Sequence, residues 1–133
     1  MTQGEAATHT EKSILVVEDS DEIRDLLGLV LEEEGYRVVS LKDGRDVVET
    51  ARALKPVLVT LDLALPGKDG WAIARELQDD PETVDIPILV ISAYTRELDA
   101  PLRRRVARVI SKPFYITQVV SEVEDILTGE RQV

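Results

Sequence analysis

Cysteine is missing from the 133 residues, histidine, tryptophan and phenylalanine occur once each, and no apolar run is long. Without cysteine there is no disulfide framework, no thiolate metal site and no cysteine nucleophile, so any metal must be held by oxygen ligands. The single histidine, His9, lies in the polar stretch Met1 to Lys12, which shows no hydrophobic period. That stretch reads as a flexible tail, and His9 as a solvated residue rather than a catalytic base. A bilayer span needs roughly 18 apolar residues, and the runs here are only strand-length. The Met-Thr-Gln-Gly-Glu start offers neither the basic nor the apolar segment of a secretion signal. These absences point to a soluble cytoplasmic protein with no membrane partner. Basic residues are also outnumbered, sixteen against twenty-six acidic ones, for a formal charge of −10. Such a balance argues against nucleic-acid binding, which draws its affinity from neutralising phosphates. Neither G-x-x-x-x-G-K-[ST] nor G-x-G-x-x-G occurs, so the usual nucleotide-binding loops are absent too.

What the chain does have is a regular alternation of short apolar runs with amphipathic ones. Its length suits one domain able to bury about two thirds of the surface exposed by the unfolded form. Ser13 to Val17 is a strand-length run ending at Glu18-Asp19. Ser20 is a good N-cap, Asp21 and Glu22 suit the positive end of a helix dipole, and Ile23, Leu26, Leu27, Val30 and Leu31 follow at helical spacing up to a glycine cap, Gly35. Tyr36 to Leu41 reads as a second strand, Asp43-Gly44 as a turn, and Val47, Val48, Ala51 and Leu54 as the inner face of a second helix ended by Pro56. Val57 to Leu61 is apolar or β-branched throughout, as in a strand buried on both faces. It stops on Asp62, and Pro66-Gly67 and Asp69-Gly70 then punctuate a loop. A third helix is predicted from about Gly70 to Leu77, with Trp71, Ala74 and Leu77 inward, stopped by Asp79-Asp80-Pro81. Ile86 to Ile91 is a fourth strand leading to Ser92-Ala93. A short helix follows from near Asp99 or Ala100, which puts Pro101 in its first turn. Val106 to Ile110 is a fifth strand, and Ile116, Val119, Val120, Val123, Ile126 and Leu127 line a last helix ending at Gly129. This alternation implies an α/β three-layer sandwich over residues 13–128, a mainly parallel five-stranded sheet with right-handed crossovers and helices on both faces, between tails at 1–12 and 129–133.

In open parallel sheets, ligand sites lie beyond the carboxyl ends of the strands. If the first and third strands are neighbours, Glu18, Asp19 and Asp62 converge at that edge. Two unit charges about 4 Å apart repel by about 4 kcal/mol at an effective dielectric near 20, so the cluster calls for a cation or a shifted pKa. Hard oxygen ligands with room for water suit Mg²⁺ or Mn²⁺. Lys112, after the fifth strand, brings a fixed positive charge to the same edge, and Ser92, after the fourth, a hydroxyl. The chemistry this set suits is phosphoryl transfer to a carboxylate, with Asp62 as nucleophile and the cation and Lys112 neutralising the transferring oxygens. An acyl phosphate is hydrolytically labile, so its product would be a timed signal. Taken singly, Glu18 and Asp19 read as an acidic helix start, Ser92 as a cap, Lys112 as a surface lysine and Trp71 as packing. Their common placement is what speaks for chemistry.

From Ser13 to Leu127 the chain resembles a response-regulator receiver domain. The resemblance is carried by Ile14-Leu15-Val16-Val17-Glu18-Asp19-Ser20, by Asp62-Leu63-Ala64-Leu65-Pro66-Gly67-Lys68-Asp69-Gly70, by Ile91-Ser92-Ala93 and by Ser111-Lys112-Pro113-Phe114, in that order. It implies the flavodoxin-like strand order 2-1-3-4-5 and phosphorylation of Asp62 by a histidine kinase or a histidine phosphotransfer protein. It also implies a metal held by Asp19, Asp62 and the backbone carbonyl of Ala64, with Glu18 acting through water. Lys112, beside a cis bond to Pro113, would contact the phosphoryl group, and Ser92 would move to hydrogen-bond it. Such a chain is a phosphoacceptor with slow self-dephosphorylation rather than a conventional enzyme. Little sequence follows the fifth helix, so output is expected through contact with another protein, with a weak homodimer also open.

The chain departs from the pattern in places. Val109 stands three positions before Lys112, where the family carries an aromatic residue, and Arg105-Val106-Ala107 replaces the usual Gly-Ala before the fifth strand. The missing aromatic suggests a second reading, a receiver-like docking module that works without phosphorylation. Tyr94 and Ala64, two residues beyond Ser92 and Asp62, suggest a covered site and a long-lived phosphorylated state. Arg96, Arg103, Arg104, Arg105 and Arg108 form a basic stretch, either a solvated face or a docking surface for an acidic partner. An aspartate-nucleophile phosphatase would want a general acid two residues after Asp62, where Ala64 stands.

Overall fold

The structure is a computed structural model that describes residues 12–94 and 100–129. The tail histidine His9, Arg96 and Asp99 lie outside the described residues, as do nearly all of the two predicted tails. Elements follow in the order β1 (Ser13–Val17), α1 (Asp21–Glu33), β2 (Arg37–Leu41), α2 (Val47–Leu54), β3 (Leu58–Leu61), α3 (Gly70–Asp79), β4 (Ile88–Ser92), α4 (Ala100–Arg105), β5 (Arg108–Ser111) and α5 (Ile116–Thr128). All strand pairs are parallel, in the order β2-β1-β3-β4-β5. β1 and β3 are therefore neighbours, as the convergence of Glu18, Asp19 and Asp62 required, with Val17 in register with Leu61.

The two-residue period of the strands sorts side chains onto two cores. Leu15, Val17, Val59, Leu61, Ile88 and Val90 pack with Val47 and Ala51 of α2, Ile73, Ala74 and Leu77 of α3 and Leu102 of α4. Ile14, Val16, Leu58, Leu89, Ile91 and Ile110 face the other way, onto Leu27 and Leu31 of α1 and Val119 and Val123 of α5. Every residue of β1, β3 and β4 is buried. Continuous burial is why these strands read as unbroken apolar runs, whereas the edge strand β2 mixes exposure.

Several boundaries differ from the expected ones. Tyr36 lies outside β2 because its N–H donates to the Leu31 carbonyl at 3.2 Å while Gly35, at φ 100°, donates to Glu32 at 2.9 Å; this pair of bonds closes α1. Val57, Ile86, Pro87, Val106 and Ala107 precede their strands rather than open them, and Ser92 and Ser111 are the last strand residues. Leu26, expected inward, is 42% exposed, because α1 covers the sheet through Leu27 and Leu31, leaving Leu26 on its flank. α4 is a six-residue helix starting at Ala100.

Candidate functional site

Each acidic residue reaches the carboxyl edge because a buried strand delivers it there. The Asp62 N–H still donates to the Val17 carbonyl at 3.1 Å, and the Glu18 N–H to Leu41 at 3.0 Å, so both residues extend the sheet ladder. Glu18 is 1% and Asp62 4% exposed, while Asp19 is exposed. One carboxylate oxygen from each of Glu18, Asp19 and Asp62 falls within 4.8 Å of the others. The chemistry of this donor set, three carboxylate oxygens of which only Asp19's belongs to an exposed residue, fits a hard divalent cation.

Lys112 spans the two buried carboxylates. Its Nζ lies 2.9 Å from Asp62 Oδ2 and 2.9 Å from Glu18 Oε1. Burial would lower the lysine pKa, but the hydrogen bonds and charges of Asp62 and Glu18 outweigh it and hold the ammonium above its ordinary value. At Glu18 burial wins: it raises the carboxyl pKa, with the Asp62 charge adding, against the hydrogen bonds from Lys112 and the Ser20 N–H. Asp62 Oδ1 accepts from the Ala64 N–H at 3.1 Å. The carboxylate is thus held from both oxygens in one orientation.

Ser92 is fully buried at the end of β4, and its Oγ accepts from the Tyr94 N–H at 3.2 Å. The Lys112 N–H donates to the Ser92 carbonyl at 3.1 Å, which ties the hydroxyl and the ammonium to adjacent strand ends. Lys112-Pro113 is a cis peptide. Val109 packs against the core that contains Leu102 and Val106, an aliphatic filling where an aromatic is usual. Tyr94 is 53% exposed. In the basic stretch, Arg105 pairs with Asp79 at 3.2 Å and Arg108 with Glu122 at 3.0 Å, and Arg103 and Arg104 lie exposed.

Three features escape the sequence reading. The Arg24 guanidinium donates to the Glu18 carbonyl at 3.0 Å and to Asp21 Oδ1 at 2.5 Å. Gly70 opens α3 hard against the backbone that follows Asp62: a Cβ there would sit 2.5 Å from Leu63 Cα and 2.7 Å from the Asp62 carbonyl oxygen. Gly44 lets the β2–α2 loop lie on the Asp62 loop, with its N–H donating to the Pro66 carbonyl at 3.3 Å. The glycines were visible as turn signals, but close approach to another segment has no local signature.

A family model described as the response regulator receiver domain matches residues 14–124. Among solved structures, a sensor protein from Polaromonas sp. JS666 is 29% identical, with a TM-score of 0.79 over 89% of this chain and 97% of that one. The response regulator TrrA from Thermotoga maritima, in complex with Mg(2+)-BeF, is 28% identical, with a TM-score of 0.78 over 87% and 99%. The signal receiver domain of a signal transduction histidine kinase from Syntrophus aciditrophicus is 28% identical, with a TM-score of 0.76 over 92% and 94%.

Proposed function

We propose, from the premise that the chain belongs to the response regulator receiver domain family of two-component signalling, that it accepts a phosphoryl group on Asp62 from a histidine kinase or a histidine phosphotransfer protein. Output then passes through protein contact. The observation that carries this reading is the state of Asp62: a nearly buried carboxylate held at Oδ1 by the Ala64 N–H and at Oδ2 by Lys112, with oxygens of Glu18 and Asp19 beside it.

In transfer, an Asp62 oxygen attacks phosphorus in line while the bond from phosphorus to the donor's imidazole nitrogen breaks, and the freed imidazole takes up a proton from water. Asp19, Asp62 and the Ala64 carbonyl would hold Mg²⁺, with Glu18 acting through water; bound there, the ion supplies neutralisation of the charge on the transferring oxygens. That TrrA was solved in complex with Mg(2+)-BeF supports the choice of ion. Lys112, already on Asp62, pairs with a phosphoryl oxygen. The Ser92 hydroxyl turns from the Tyr94 amide to donate to another. Attack of water on the acyl phosphate later returns Asp62 to its resting form.

Incubation with Mg²⁺ and acetyl phosphate should add one hydroxylamine-labile phosphoryl group, seen by intact-protein mass spectrometry and absent from Asp62→Asn. A wild-type chain that stays unmodified would overturn the reading in favour of a docking module independent of phosphorylation, for which Val109 in the aromatic's place speaks.

A further inference from the structure

Asp19 is the exposed member of the acidic cluster, and among the described residues nothing bonds its carboxylate in place. Its direction therefore depends on the peptide plane that joins it to Glu18. On the Glu18 side the backbone is pinned at both ends: the N–H donates to Leu41 at 3.0 Å, and the carbonyl accepts from Arg24 Nη1 at 3.0 Å. The Glu18 carboxylate also accepts from the Ser20 N–H at 3.1 Å, which fixes the chain on the far side of Asp19. Arg24 is itself fixed. Its backbone N–H donates to Ser20 at 2.8 Å in the first turn of α1, its second guanidinium nitrogen is on Asp21, and its side chain is only 17% exposed. A planar guanidinium can serve both acceptors from one rigid fork, which an ammonium on a flexible stem does not do.

We infer that Arg24 is a positioning residue for the divalent cation, holding the Glu18–Asp19 peptide plane from the first turn of α1 so that Asp19 faces Asp62. The inference rests on reading the acidic cluster as the cation site, and it reverses what charge alone would give. Arg24 is a cation bonded to the backbone of the acidic cluster; by Coulomb's law its removal should tighten Mg²⁺ binding. Loss of an outer partner that orients a ligand instead weakens metal affinity, typically by about ten- to a hundredfold.

The test is calorimetric titration of Mg²⁺ into the full chain, with thermal unfolding in chelator as the control for folding. Arg24→Ala should bind Mg²⁺ about tenfold more weakly than wild type, at the lower end of that range. Arg24→Lys keeps the charge but loses the fork, and should fall between the two. Should Arg24→Ala fail to fold, Arg24→Lys decides alone. Affinity unchanged or tighter in Arg24→Ala, or equal to wild type in Arg24→Lys, would overturn the inference while leaving the cation site intact. A wild-type chain that takes up no Mg²⁺ would overturn the site itself, and the role of Arg24 with it.

Discussion

Lys112 makes Asp62 tolerable before any cation arrives. A carboxylate at 4% exposure beside a second one at 1% would repel it strongly in a medium of low effective dielectric, and the ammonium at 2.9 Å from each offsets that repulsion. The residues around this core set how long a phosphoryl group would last on it. Ala64, two beyond Asp62, offers water no hydrogen-bonding side chain, and Tyr94 sits half-exposed just beyond Ser92. Replacing them by Ala64→Asn and Tyr94→Glu should help to orient a hydrolytic water and shorten the acyl-phosphate half-life by about tenfold together, a barrier change of about 1.4 kcal/mol. Decay of the phosphorylated form, followed by mass spectrometry after the phosphodonor is removed, reads this directly. An unchanged half-life would sink the idea that these positions cover the site.

α3 and α1 each carry a glycine, and the two make opposite predictions for the same change. Gly70 begins α3 and donates to the Leu63 carbonyl at 3.1 Å, with no room for a Cβ against Leu63 Cα at 2.5 Å. Gly70→Ala must push the start of α3 off the Asp62 loop, an overpacking expected to cost about 2–3 kcal/mol. Gly28 lies in the middle of α1, where a Cβ would meet Val38 Cγ1 at 3.9 Å, an ordinary contact. Gly28→Ala should stabilise by about 0.5–1 kcal/mol, through helix propensity and a less free unfolded chain. Urea unfolding of the two variants checks the signs, and phosphorylation by acetyl phosphate should slow only in Gly70→Ala.

Stability of the folded chain should be coupled to pH and to the cation through the same cluster. Because burial raises the Glu18 pKa, the folded state holds that proton more tightly than the unfolded one. The contribution of Glu18 to stability is therefore full below its ordinary value of 4.5 and is lost as pH rises through the raised folded value. Lys112, raised from 10.5, contributes stability below that value and loses it as pH climbs past its own folded pKa. Mg²⁺ competes with the Glu18 proton, so its stabilising effect should grow as pH rises through the raised Glu18 value. At a free concentration a hundred times its Kd, the ion would add about 2.7 kcal/mol. Melting curves with Mg²⁺ and with chelator, taken across a pH series, measure this. Asp19→Asn should abolish the response to Mg²⁺ without lowering the melting temperature in chelator, since it relieves repulsion; a variant that keeps the full response would remove Asp19 from the ligand set.

The order of strands and helices was legible because buried parallel strands must be apolar throughout and surface helices must be apolar on one stripe; Val57 to Leu61 and the face from Ile116 to Leu127 could hardly read otherwise. Asp62, Glu18, Asp19, Ser92 and Lys112 were legible for the same reason, each being a polar residue at the end of such a run. What the residues alone did not give were relations between segments distant in the chain. Lys112 bridging Glu18 and Asp62, 94 and 50 positions away, depends on the strand order placing β1 beside β3, which periodicity leaves open and only the family resemblance implied. Leu26 looked like core until packing showed α1 rolled onto Leu27 and Leu31. The hold of Arg24 on the Glu18 carbonyl and the fit of Gly70 against Leu63 are matters of ångströms between backbones, and backbone approach leaves no mark in hydrophobic pattern. Periodicity reports which face of an element is buried; only the folded chain settles what lies against it.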